Sequence, residues 1–340
     1  MPDGDTPTRT LRTPEALAAA GLLPPARLEE ARAVAARYAI AVTPDVAALI
    51  DPADAADPIG RQYIPDAAEL VTAPQENEDP TSDAPFSPLK GIVHRYPDRA
   101  LLKPLLACPV YCRFCFRREH VGPDGGLLTE AELAAALAWF AAHPEVREAI
   151  ITGGDPLILS PRRLAHIIAA LSALPQLDII RIHSRVPVAE PGRITPALLA
   201  ALRTDKALYL CVHANHAREF TPAAATALAA LHGAGAVLLG QSVLLRGVND
   251  SAAALEDLFR AMLRHRVKPY YLHQLDRAPG TARFEVPIEE GRALLRQLRG
   301  RVTGLAWPTY VLDTPDGGGK APLGPEWVGA DGGVTAPLRG

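Results

Sequence analysis

From about residue 100 onward the chain repeats one unit, a short apolar run followed by a longer stretch of helical periodicity, at a spacing of roughly 30 residues. The apolar runs are Ala100–Leu106, Ala149–Thr152, Asp178–His183, Ala207–His213, Ala236–Leu244 and Lys268–Gln274. The helical stretches are Thr129–His143, Pro161–Leu174, Pro196–Arg203, Pro222–Leu231, Ser251–Arg264 and Pro287–Leu298. Helix starts are marked locally: Thr129 and Glu132 have capping-box spacing, and Ser160, Thr195 and Thr221 each precede a proline suited to the first helical position. Strands alternating with helices call for a parallel sheet with helices outside it. Six such units fall short of the eight that close a barrel, which leaves a partial barrel or a doubly wound sheet in the α/β class. Tyr310–Asp313 reads as one further short strand.

Residues 1–88 read differently. Helical stretches at Pro14–Ala19 and Pro25–Tyr38 precede a polar, Pro- and Asp-rich run, Asp51–Pro88, within which Thr72–Ser87 reads as an extended, irregular connection. The expected organisation is an accessory region (1–88), a barrel (89–305) and a C-terminal segment (306–340). With 48 % hydrophobic and 21 % charged residues there is ample apolar mass for a core, so a disordered polyelectrolyte is excluded. A net charge of −3 gives no electrostatic case for a nucleic-acid or anionic-membrane partner. No apolar run approaches ~20 residues and no basic-then-apolar segment opens the chain, so a cytoplasmic location is expected.

The unusual polar residues sit where strands end. Cys108 to Cys115 follow the first strand, Gly153–Gly154–Asp155 the second, His183 and Arg185 the third, His213 and His216 the fourth; Gln241 marks the fifth and Asp276 the sixth. In parallel barrels the C-terminal strand ends carry the active site, so the recurrence points to an enzyme.

Three of the four cysteines form Cys108-x3-Cys112-x2-Cys115, which is too few and too clustered for a disulfide scaffold. On a four-iron cluster, three thiolates leave one iron free for a substrate. The alternative is a zinc site closed by a fourth ligand, for which His120 is the near candidate, in a zinc-stabilised binding protein. Cys211 lies on a separate strand and reads as a small buried side chain. Lys320 ends Gly317–Gly318–Gly319–Lys320, but Thr314 and Ala321 break the nucleotide P-loop pattern.

The cysteine loop resembles that of the radical S-adenosylmethionine superfamily. Neighbouring strings narrow the resemblance to the lysine 2,3-aminomutases: HRYPDR (His94–Arg99), YCRFCFRR (Tyr111–Arg118), TGGDPL (Thr152–Leu157), RIHSRVPV (Arg181–Val188), HANH (His213–His216), QSVLLRGVND (Gln241–Asp250), PYYLHQLD (Pro269–Asp276) and DGGGKAPL (Asp316–Leu323). They run in order from about residue 60 to 325. The resemblance implies a partial (βα)6 radical-SAM barrel and an isomerase with three cofactors. A [4Fe–4S] cluster would be held by Cys108, Cys112 and Cys115. S-adenosylmethionine would be contacted by Gly153, Gly154, Asp155, His213 and Gln241, the glycines admitting close backbone approach and Asp155 receiving an ammonium. Pyridoxal phosphate would form a Schiff base with Lys320 on its flexible glycine loop, its phosphate held by Arg95, with Arg99 as second candidate. By the same resemblance Arg117 pairs with the substrate α-carboxylate, and Asp276 and Asp313 receive a distal ammonium. At ~4 Å and an effective dielectric near 20, each carboxylate attracts a cation by at most about 4 kcal/mol before desolvation, which favours lysine over glutamate. An adenosyl radical would take a hydrogen from Cβ while the nitrogen moves from Cα to Cβ, with flavodoxin or ferredoxin as electron donor.

There are departures from the family. No cysteine follows Lys320, so the structural zinc of longer members is expected to be missing and the usual homo-oligomer is an open expectation. In this compactness the chain is similar to the short forms that make β-lysine for modifying elongation factor P. Asp313 and the triple glycine instead resemble the free-lysine enzymes, and His273 stands where longer members have tyrosine. A 2,3-aminomutase acting on arginine or another amino acid is the alternative enzyme.

Overall fold

The computed structural model describes residues 7–328 and 333. Its centre is a nine-stranded sheet in sequential order: β1 (Ile92–Tyr96), β2 (Arg99–Leu105), β3 (Glu148–Gly153), β4 (Ile179–Ser184), β5 (Ala207–His213), β6 (Val237–Val243), β7 (Lys268–His273), β8 (Thr309–Asp313) and β9 (Lys320–Gly324). β2 through β8 are parallel, while β1 and β9 are antiparallel to β2 and β8. A doubly wound sheet reverses strand order at a switch point. This sheet never reverses, so it curls into an open barrel, the partial (βα)6 barrel class, with β8 as a seventh parallel strand.

The accessory helices are α1 (Pro14–Ala19), α2 (Leu28–Ala35), α3 (Pro44–Ala47) and α4 (Gly60–Tyr63). The barrel helices are α5 (Glu130–Ala141), α6 (Pro161–Ser172), the short α7 (Val186–Ala189), α8 (Pro196–Ala201), α9 (Pro222–Gly233), α10 (Ala252–Arg264) and α11 (Ile288–Leu298). The expected N-caps act as such: Thr129, Ser160, Thr195 and Thr221 each accept a backbone N–H with a side-chain oxygen, and Thr129 with Glu132 completes a capping box.

The period-two alternation of the strands separates core from site. Ile151, Ile180, Ile182, Leu208, Leu210, Val212, Leu238 and Leu272 are buried in one core cluster with apolar residues of the surrounding helices, among them Leu133, Leu164, Ile167, Leu228 and Leu258. The intervening residues, including Thr152, Arg181, His183, His213, Gln241 and His273, line an internal cavity instead.

Two strands have no counterpart in the sequence reading. β1 was hidden because its polar residues fit no alternation, and β9 because Pro322 and flanking glycines mask it. Lys320 therefore does not lie on a flexible loop. It opens β9 opposite Asp313, and its N–H donates to Tyr96 Oη at 2.7 Å. The glycines make the turn: a Cβ at Gly319, with φ +102°, would sit 2.7 Å from Tyr96 Oη, and one at Gly317 2.4 Å from the Phe86 ring. The helix expected at Pro25–Tyr38 is a 3-10 turn at Pro25–Arg27 followed by α2.

The N-terminal region has its own core, including Leu17, Leu23, Ile59 and Tyr63, which also takes in Val110 of the cysteine loop and Ala189. The Asp51–Pro88 run holds α4 and two 3-10 turns, Ala67–Leu70 and Ala84–Phe86, and is anchored by buried Asp57, Glu69 and Thr81. Beyond residue 328, the expected C-terminal segment lies outside the described residues except for Gly333.

Candidate active site

Every residue singled out above for cluster, cofactor or substrate lines one cavity of about 720 Å³ at the C-terminal ends of the parallel strands. The cysteine loop leaves β2 and is held from behind by ion pairs. Arg113, fully buried between Cys112 and Cys115, donates to both oxygens of Glu69 (Nε to Oε1 at 3.1 Å and to Oε2 at 2.9 Å, Nη2 to Oε2 at 2.5 Å) and to Ala39 O (2.9 Å). Arg118 also donates to Glu69 and, at 2.9 Å, to Arg113 O, and Arg283 lies 3.6 Å from Glu69. Burial opposes ionisation of Glu69, but these guanidinium groups outweigh it and hold its pKa below the ordinary value.

Cys108, Cys112 and Cys115 all line the cavity as free thiols, and burial pushes their pKa values up, that of Cys115 to about 11. Among the described residues no three His, Cys, Asp or Glu side chains converge on a single ion position. A four-iron cluster takes each thiolate on a different iron, whereas one zinc draws all its ligands to ~2.0–2.3 Å. His120, the candidate fourth zinc ligand, is exposed and outside the cavity lining. Cys211 is fully buried on β5.

The glycine pair packs against the cysteine loop. Gly154 N–H donates to Leu105 O (2.8 Å) and Asp155 N–H to Ala107 O (2.9 Å). A Cβ at Gly153 would lie 2.5 Å from Leu105 O, and at Gly154 2.0 Å from Ala107 O. The close approach is thus made first to the chain itself. The Asp155 carboxylate accepts from Leu157 N (3.1 Å), Ser184 Oγ (2.8 Å), Arg185 N (2.7 Å) and Val186 N (3.2 Å). Those four bonds occupy the lone pairs that the sequence reading reserves for a ligand ammonium, so Asp155 ties the ends of β3 and β4 together.

His213 and Gln241 are direct register partners on β5 and β6. Burial, then the charge of Arg185, hold His213 well below the usual histidine range, so it is neutral. The Nε2 atoms of His213 and His183 and the Nε atoms of Arg95 and Arg117 are buried without partners, all on residues lining the cavity. Unpaired buried polar atoms are costly, and here they suit a polar, anionic occupant.

At the β8–β9 edge, Lys320 Nζ donates to both Asp313 oxygens at 2.7 Å. His273 Nδ1 is 3.7 Å and Arg95 Nη1 3.9 Å from the same carboxylate. Burial opposes the charge on Asp313, but His273 and Lys320 prevail and hold it far below the usual carboxylate range. Asp276 is pushed up to about 7 by burial and then by the charge of Asp313.

Arg95 and Arg117 meet on Asp83, which has no motif around it in the sequence. Arg95 Nη2 donates to Asp83 Oδ1 (2.9 Å), Arg117 Nη2 to Oδ2 (3.1 Å), and Lys103 Nζ stands 3.7 Å away. Arg95 also donates to Thr81 O. Arg99 stacks over Tyr96 at 3.6 Å and pairs with Asp98. No helix among the described residues is long and apolar enough to cross a membrane.

Comparison with known proteins places this geometry in context. Residues 102–258 match the radical SAM superfamily and residues 295–339 match Lysine-2,3-aminomutase. The L-lysine 2,3-aminomutase of Clostridium subterminale is 40 % identical over 289 residues, 85 % of this chain and 70 % of that protein. The Escherichia coli L-lysine 2,3-aminomutase is 39 % identical over 268 residues, 78 % of each. The glutamate 2,3-aminomutase of Clostridioides difficile is 34 % identical over 311 residues, 92 % of this chain and 74 % of that protein.

Proposed function

Because the chain belongs to the lysine 2,3-aminomutase family of radical SAM isomerases, whose cofactors are a [4Fe–4S] cluster, S-adenosylmethionine and pyridoxal phosphate, we propose that it converts L-lysine to β-lysine by moving the α-amino group to Cβ. The observation that carries the substrate is the pairing of Asp313 with an ammonium group, that of Lys320, with a second carboxylate, the half-buried Asp276, lining the same cavity. A site built around a bound ammonium accepts the distal amine of lysine and repels the side-chain carboxylate of glutamate.

The cavity fits the family's cofactors in its donor set. Cys108, Cys112 and Cys115 would hold the cluster, and His213 and Gln241, side by side at the mouths of β5 and β6, would line S-adenosylmethionine. Gly153, Gly154 and Asp155 would shape that pocket through the backbone, with Asp155 fixing the loops. Lys320, the one lysine among the lining residues, would hold the aldehyde of pyridoxal phosphate, and Arg95 its phosphate. When bound, these groups supply a 5′-deoxyadenosyl radical and a conjugated ring over which an unpaired electron spreads. The chain's residues position the substrate between them: Arg117 takes the α-carboxylate, and Asp313 and Asp276 take the far ammonium. Asp313 holds the Lys320 ammonium in the structure, and a substrate's far ammonium would take that place when bound. Thr81 and Asp83, from the stretch before β1, complete the lining of the cavity from which water would be kept.

Two finer readings accompany this. β-Lysine for modification of elongation factor P suits the resemblance to the short forms, and free β-lysine suits Asp313 and the triple glycine before Lys320. The test is anaerobic reconstitution with iron, sulfide and pyridoxal phosphate, then incubation with dithionite, S-adenosylmethionine and L-lysine, L-arginine or L-glutamate separately. β-Lysine formed in preference to the others is the expected result. Turnover of glutamate without lysine overturns the two-aspartate argument, and a colourless zinc protein overturns the cluster.

A further inference from the structure

One buried side chain bonded directly to a cysteine sulfur is not used by the reaction as described. Arg185 follows β4, and its N–H is fixed by Asp155 at 2.7 Å. Its guanidinium is buried and bonded in three directions: Nη2 to Glu219 Oε2 (2.7 Å) and to Gln62 Oε1 (2.6 Å), and Nη1 to Cys112 Sγ (3.1 Å). The rings of Tyr63 and Phe114 lie 5.0 and 5.5 Å from its Cζ. Glu219 is held in turn by the N–H groups of Asn215 (2.8 Å) and His216 (2.9 Å), and Asn215 Nδ2 donates to Gln62 Oε1 (3.1 Å).

The bonds to Glu219 and Gln62 both leave from Nη2, Nε is buried without a partner, and Nη1 turns to sulfur. A neutral thiol is a weak acceptor and gives little reason to aim the third direction at sulfur. A thiolate ligating iron makes the same contact a charge-assisted hydrogen bond. Hydrogen bonds to ligand sulfurs and the net charge around an iron–sulfur cluster set its reduction potential. Reduction adds negative charge to the cluster, which a donor and cation on Cys112 stabilise and a nearby carboxylate opposes.

We propose that Arg185 and Glu219 form an opposed pair that sets the reduction potential of the cluster bound through Cys112, Arg185 raising it by its N–H to sulfur and Glu219 holding it down. The inference rests on the cluster assignment above. Arg185 is a positioning residue here, since it acts through the ligand Cys112.

The test is a potentiometric titration, followed by electron paramagnetic resonance, of the anaerobically reconstituted full chain without S-adenosylmethionine, with iron and sulfide counted in each sample. Arg185→Gln should shift the midpoint to a more negative value and Glu219→Gln to a more positive one. A tenfold change in the reduction equilibrium corresponds to ~59 mV for one electron. A purely structural role does not produce shifts of opposite sign. Unmoved midpoints, or two shifts of the same sign, at wild-type iron content overturn the inference and leave the cluster assignment standing. Should Arg185→Gln fail to retain iron, Glu219→Gln decides alone: an upward shift supports the pair and an unmoved midpoint overturns it. Wild-type protein that takes up no iron overturns both readings.

Discussion

Lys320 Nζ lies 2.7 Å from each carboxylate oxygen of Asp313, across a hairpin whose register puts the two residues directly opposite each other. The amine that would anchor one cofactor is thus held by the acid that would bind the substrate. At ~4 Å and an effective dielectric near 20 one carboxylate attracts a cation by at most about 4 kcal/mol before desolvation, and ~1.4 kcal/mol is a factor of ten. Asp313→Asn is therefore expected to lower kcat/KM for lysine by about 10²- to 10³-fold while the visible absorption of bound pyridoxal phosphate persists. Turnover within tenfold of wild type would count against Asp313 as the ammonium site.

Asp276 gives a pH dependence whose sign is fixed by its pKa of about 7. Unfolded, it releases its proton near ~3.9; folded, it keeps the proton until about 7, so between these values the folded state binds more protons. Its contribution to stability is complete below the unfolded value and is lost as pH rises through the folded one. Asp276→Asn removes that loss, so its Tm advantage over wild type should be larger at pH 8 than at pH 5. Over the same range a second carboxylate becomes charged in the wild-type site, and the KM for lysine should fall with rising pH. An Asp276→Asn profile parallel to wild type in both measurements would reject the assignment.

Asp83 occupies the two arginines that would receive the cofactor phosphate and the substrate carboxylate. Burial opposes its charge, but Arg117, Lys103 and Arg95 prevail and keep it ionised. As an internal anion it competes with incoming ones. Asp83→Asn is expected to tighten binding of inorganic phosphate and of pyridoxal phosphate severalfold, measured by titration of the apoprotein. Weaker binding would show instead that Asp83 only orients the guanidinium groups.

Glu69 fastens the cysteine loop to the N-terminal region through Arg113 and Arg118. Glu69→Gln leaves buried arginines without their counter-charge, at a cost of ~3–5 kcal/mol. The variant should show a lower denaturation midpoint in urea and a lower iron content after reconstitution. Wild-type iron content in a clearly destabilised variant would separate the fold's need for Glu69 from the cluster's.

The parallel strands were legible because apolar alternation and N-caps are local properties. Ala207–His213 coincides with β5, and the other five predicted strands of the repeat fall within one or two residues of β2, β3, β4, β6 and β7. β1 and β9 were not legible, since edge strands with polar or proline positions carry no alternation of their own and take their conformation from β2 and β8. The reading of Lys320 as mobile failed for that reason: three glycines look flexible in sequence, yet Phe86 and Tyr96 pack against them. Asp83 comes from an irregular stretch and Glu69 from the short turn Ala67–Leu70, where its capping-box spacing with Asp66 marks a helix start but not that either acid will meet arginines more than ten residues away.

By itself the sequence determined the alternating units, the three-cysteine loop and the set of residues at the strand mouths, because spacing and residue chemistry are written along the chain. Only the tertiary structure decided which charges meet: Asp155 with the ends of β3 and β4, Asp83 with Arg95 and Arg117, Glu69 behind the cysteine loop, and Arg185 on Cys112. Ion pairs and burial depend on distances between segments remote in sequence, and those distances exist only once the sheet has coiled and the N-terminal region has closed over it.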